Sequence, residues 1–152
     1  MATIDKRIGE TDFSALHHPR LSKQDASDFE EGIRLFNSGK FWESHEAWEQ
    51  IWRRHAADAN RLFFQGLIQS AAGLHQLQRR IYHGADKHFR NALWKLRPFR
   101  PICLEMDVAR FVGEVEVVHQ RVVELGPAKI SQFSGAFPRI HTINSRQSGA
   151  RK

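Results

Sequence analysis

Apolar residues return every three to four positions through most of the central chain, and that period predicts helices. From Ser27 onward Phe29, Ile33 and Phe36 recur at i, i+4 and i+7, until the turn-forming run Asn37-Ser38-Gly39 stops the pattern. A second helix is expected over about 40–56. A third is expected from Asn60, read as its N-cap, to about Arg80. A fourth, over about 83–97, carries Ala85, Phe89, Ala92, Leu93 and Leu96 on one stripe, and the prolines of "RPFRP" end it.

The last periodic segment is rich in valine, which favours strands. Yet Val108, Phe111, Val112, Val115, Val118, His119 and Val122 follow the helical period over four turns. A fifth helix is therefore expected from about Asp107 to the Gly126-Pro127 pair. A shift of 41 residues places Gly32 on Gly73, Ile33 on Leu74, Phe36 on Leu77, Phe41 on Tyr82 and Trp48 on Phe89. Two copies are fewer than a solenoid needs. Two unrelated amphipathic hairpins can also align this well. The expectation is an all-α fold: a single compact five-helix bundle built from two tetratricopeptide-like hairpins plus a closing helix. An N-terminal arm is expected at 1–24, the bundle at 25–125, and a basic tail at 126–152 with a disordered end.

Composition changes this picture little. The 152 residues, 41% hydrophobic and 26% charged, fit one globular domain. No apolar run is long enough for a membrane span, and the first residues lack the apolar centre of a signal peptide. Cys103 is the only cysteine, which excludes an internal disulfide and a cysteine-rich zinc site. A cytoplasmic protein is expected. The net charge of +6 sits mostly in the tail, where Lys129, Arg139, Arg146, Arg151 and Lys152 have no acid among them. Such a tail supports weak anion contact at most, so specific nucleic-acid binding is not expected.

Candidate chemistry concentrates in "KFWESHEAWEQIW". On a helical wheel His45 lies at the edge of the stripe formed by Phe41, Trp48 and Trp52, and Glu49 also points inward. Glu46 lies near the boundary, and Glu43 faces solvent. His45 and Glu49 stand at i and i+4, so they can pair as an acid–base unit or as a structural hydrogen bond. In the third helix Gln65, Gln69 and Gln76 form one narrow polar stripe, flanked by Ala72 and Gly73, on a helix otherwise apolar all round. Buried amides need partners, and His45 and Glu49 are the nearest candidates. A stripe facing solvent is the plain alternative.

The segments "GIRLFNSGKFWESHEAWEQIWRR", "RLFFQGLIQSAAGLHQLQRR" and "GADKHFRNALWKL" together resemble domain-of-unknown-function family 309, over about residues 28–125. The matching positions are Phe36, Asn37, Gly39, His45, Glu46, Trp48, Glu49, Trp52, Gln65, Gly66, Gln69, Gly84 and Ala85. The family commonly has a histidine seven residues after the second glutamine, then Gly-Asn. Here that position is Gln76, with His75 beside it, and Arg80-Ile81 replaces the dipeptide. The resemblance implies a small all-helical protein with a shared polar site and supplies no reaction.

The site expected on these grounds uses His45, Glu49 and Glu46 for acid–base work and Gln65, Gln69 and Gln76 to hold a small polar ligand. No cofactor is predicted. A divalent metal is kept as an alternative, since H-E-x-x-E is one residue from the zincin H-E-x-x-H. Glu116-Val-Val-His119 has the order used in di-iron bundles, but the remaining ligands of such a centre are missing. A second class of function is a repeat-like module for a protein or peptide partner, with Trp42 and Trp94 as contacts and the His–Glu cluster structural. A third is weak nucleic-acid contact through the tail.

Overall fold

The computed structural model describes residues 20–55 and 61–143. The order along the chain is α1 (Lys23–Asn37), α2 (Phe41–Arg54), α3 (Arg61–Gln78), α4 (Tyr82–Leu96), β1 (Ile102–Cys103), β2 (Met106–Asp107) and α5 (Val108–Lys129). The all-α bundle of five helices expected from the period is therefore what forms. Each helix packs chiefly on its neighbours in sequence. The expected arm, up to residue 19, the N-cap at Asn60 and the disordered end from residue 144 lie outside the described residues.

α1 begins earlier than its apolar period, because Ser22 caps it by accepting the Asp25 N–H at 3.0 Å. It ends where Gly39 takes φ +79°, which lets Lys40 N–H reach back to Leu35 O at 2.9 Å. Asp107 caps α5 by accepting from Arg110 N at 3.0 Å. Near its end α5 breaks at Gly126, whose φ of 68° and ψ of 178° leave the helical region. Pro127, lacking an N–H, then sits where a new turn begins.

α3 is the central helix, buried on nearly all sides. Two glycines let α4 approach it closely: a Cβ at Gly66 would meet Leu96 at 2.6 Å, and one at Gly73 would meet Phe89 at 2.7 Å. In the first hairpin Gly32 does the same for Trp48. The aligned pairs Gly32/Gly73 and Trp48/Phe89 thus make the same glycine–aromatic contact in both hairpins. Around these contacts Phe36, Phe41, Phe63, Phe64 and Phe111 complete an aromatic core.

Two features depart from the sequence-based expectation. Residues 102–107 form a tight two-stranded ribbon, turned by Leu104 and Glu105 at φ 51° and 63°. Residues 130–143, expected in the tail, return to the bundle. Phe133 and Ile140 are buried there, and Met106 bridges Thr142. Asn37 holds this strap by both its side-chain atoms, donating to Ile140 O at 2.9 Å and accepting from Ile140 N at 2.8 Å. The folded unit therefore extends past residue 125.

Candidate functional site

The period of α2 puts His45, Glu49 and Trp52 on the flank that faces α3, and all three are half-buried. The His45 ring stacks on Trp42, with centroids 4.7 Å apart and planes 10° apart. Its Nδ1 is buried and meets no hydrogen-bonding group among the described residues. Burial pushes its pKa below the usual 6.5; Glu49 and Glu46 oppose that shift, and His75 adds to it. The imidazole is neutral at pH 7.

The expected hydrogen bond between His45 and Glu49 is not formed. Glu49 Oε1 instead accepts from Arg53 at 3.3 Å, on the solvent side of the helix. A carboxylate one turn from two candidate donors goes to the permanently charged one. Glu46 is exposed and acts on His45 only through its charge.

On α3 the half-buried positions are Gln65, Gln69, Ala72 and Gln76 along the expected stripe, together with Arg61 and His75. Gln69 Oε1 accepts from Lys95 Nζ of α4 at 2.6 Å. Gln76 packs elsewhere, over Gly84 at the start of α4, where a Cβ would stand 3.0 Å from its side chain. Gln65 and Gln69 thus lie along the α3 side of the seam with α2, whereas Gln76 lies at the far end of α3, beside the His75 that acts on His45.

Two residues of α4 complete this seam and escaped the sequence reading. Lys95 is only 1% exposed. His88, half-buried, also has its Nδ1 buried with no hydrogen-bond partner among the described residues. Burial pushes its pKa down, and Lys87, His45 and Lys95 lower it further. Spacing was the available signal: His88, Ala92 and Lys95 stand at i, i+4 and i+7, so one stripe of α4 carries both. At the other end of the seam Trp52 Nε1 is likewise buried without a hydrogen-bond partner among the described residues, and Arg61 lies 3.9 Å over its ring.

The alternative metal ligands do not converge. Glu116 pairs with Arg97 at 2.9 Å, while His119 meets Asp86 at 2.8 Å. Among the described residues no group of three His, Cys, Asp or Glu side chains could hold a metal ion. A second buried polar cluster joins α1 to the end of α2. Asp25, 5% exposed, accepts from Arg54 Nε at 2.6 Å and from His55 Nε2 at 3.1 Å. Burial alone would raise the Asp25 pKa, but the bonds from Arg54 and His55 outweigh it and hold the carboxyl below its usual 3.8.

The profile of the family described as Domain of unknown function (DUF309) matches residues 29–88, from α1 to His88. Over residues 29–88 the chain is similar to that family. The resemblance read from the F-N-x-G, H-E-x-W-E-x-x-W and Q-G-L-I-Q segments is borne out over that span. Each segment has a visible place in the fold: Asn37 holds the strap, Trp48 fills the space at Gly32, and Gln69 receives Lys95. Lys95 itself lies beyond the matched residues. No curated protein matches the chain. No helix among the described residues is long and apolar enough to cross a membrane.

Proposed function

We propose that the seam of α2, α3 and α4 binds a small polar ligand, with His45 as the group that exchanges a proton with it and Gln69 and Gln65 as orienting amides. The observation that carries this reading is the pair of buried imidazole Nδ1 atoms, on His45 and His88, with no protein partner among the described residues. A buried polar atom left unpaired costs about 1–3 kcal/mol, and two in one seam are what a ligand-binding site tolerates and a packing cluster does not. Both rings are neutral at pH 7, so each has one basic nitrogen and one N–H to offer. Glu46 and Glu49 favour protonated His45 as charge develops. The same reading takes the protein as cytoplasmic, supported by a lone, buried, free Cys103.

Replacement of His45 by leucine tests this. A ligand seam predicts a melting temperature unchanged or raised by about 3 °C, because an unpaired polar group gives way to an apolar one. A fall of more than about 3 °C would make the imidazole structural.

A further inference from the structure

At the other end of the bundle from Lys95, the start of α2 and the end of α3 enclose an open groove of about 730 Å³. That volume lies within the roughly 300–1,000 Å³ typical of small-molecule sites. Trp42 lines it and is 48% exposed, although two rings hold it: His45 by stacking, and His75 at 5.4 Å and 41°. An indole fixed in orientation with much of its surface open is a stacking platform rather than a mobile surface side chain.

The charges along the groove select what would stack there. Lys40 and Arg79 both line it, and neither side chain makes a hydrogen bond or ion pair among the described residues. Glu43 is the only acid in the lining. Glu31 acts on Lys40 through its charge, but Lys40 and Arg79 together would still repel a cationic ring, and an apolar peptide would desolvate them without return. A planar ring that carries a phosphate satisfies both features, since guanidinium and ammonium groups are phosphate donors and the indole takes the ring. The Gln76 amide, in the same lining, is suited to the hydrogen-bonding edge of a base.

We infer that this groove is a mononucleotide site, with the base against Trp42 and the phosphate on Lys40 and Arg79. It adjoins the α2–α3–α4 seam through the Trp42–His45 stack, but the inference does not rest on the ligand proposed there.

Adenosine monophosphate titrated into the full chain, followed through the Trp42 indole ¹H–¹⁵N signal, tests the inference. The expected result is saturable binding with a dissociation constant below about 1 mM. Adenosine and ribose 5-phosphate, each lacking one half of the recognised chemistry, are expected to bind at least about tenfold more weakly, as is Trp42→Ala, the scale of one base–aromatic contact. Lys40→Ala and Arg79→Ala alter exposed side chains, keep the fold by circular dichroism, and each weaken binding about tenfold. No saturation by about 5 mM nucleotide, a range weaker than ordinary small-molecule affinity, overturns the inference. So does binding that the Lys40 and Arg79 variants leave unchanged. An oligoadenylate that binds more than about tenfold tighter than the mononucleotide would reassign the groove to single-stranded RNA.

Discussion

The indole of Trp48 occupies the space that a side chain at Gly32 would need: a Cβ there would stand 2.1 Å from Nε1. The same Nε1 donates to Phe29 O at 3.3 Å, so the ring is fixed both by shape and by a hydrogen bond. Gly32→Ala is therefore expected to cost about 3 kcal/mol, at the upper end of overpacking effects. Gly113, also helical, has nothing within 4 Å of an added Cβ. Gly113→Ala should stabilise the protein by about 0.5–1 kcal/mol through helix propensity and a less flexible unfolded chain. Urea unfolding of the two variants beside the parent measures both signs in one experiment.

Stability should fall with acidification well before the carboxylates titrate. His45 and His88 both have pKa values depressed below 6.5 by burial. Near and below that value the unfolded chain binds protons that the folded chain does not, so unfolding becomes easier as pH drops. Denaturation midpoints at pH 7.5 and 5.5 should differ, with the lower pH less stable. The His45→Leu, His88→Leu double variant should flatten the slope. An unchanged slope would mean that neither ring is buried in solution.

A second acid transition belongs to Asp25 and Asp86. Both are held below 3.8: burial would raise them, but His55 with Arg54, and His119 with Arg90, prevail. Their contribution is present above pH 3.8 and is lost as pH falls towards the depressed values. Arg54→Ala leaves the buried Asp25 with His55 as its remaining partner and should cost about 1–2 kcal/mol, reduced because the guanidinium is partly solvated. The loss should be smaller at pH 3 than at pH 7, which a calorimetric comparison would detect.

Asn37 joins the first helix to the strap through two hydrogen bonds to one residue 103 positions away. Asn37→Ala removes both and leaves the Ile140 amide and carbonyl without them, at a cost of about 1–3 kcal/mol. The strap should then be cut by trypsin at Arg139 much faster than in the parent, while the helical circular dichroism is kept. Equal cleavage rates would show that the buried Phe133 and Ile140, with the strap's hydrogen bonds to Glu114, Glu105 and Asp107, hold it without the Asn37 side chain.

What the sequence made legible follows from how local the information is. Helix boundaries came from the apolar period and from caps and breakers within a few residues, such as Gly39 and Asp107. The half-buried amide stripe of α3 was also visible, because one face of one helix suffices to draw it. Lys95 was not, since a lysine in a helix reads as surface and its partner Gln69 lies 26 residues back. The 102–107 ribbon was hidden for another reason: strands of two residues have no period, and Leu104-Glu105 is not a turn-forming pair by composition. The strap carries Phe133, Phe137 and Ile140 without regular spacing, among residues that read as linker. The His45–Glu49 pairing failed because a wheel shows who is adjacent and not which neighbour binds more strongly.

The strap also sets an order of events during synthesis. Its anchor on α1 is made early, but residue 140 follows 103 positions later, roughly 5–20 s at the usual rate of chain elongation. For that interval α1 and α2 emerge and pack with the Asn37 slot open to solvent. Until Phe137 has left the ribosome, Phe41, 5.7 Å from it in the finished protein, stays without that cover and within reach of a chaperone.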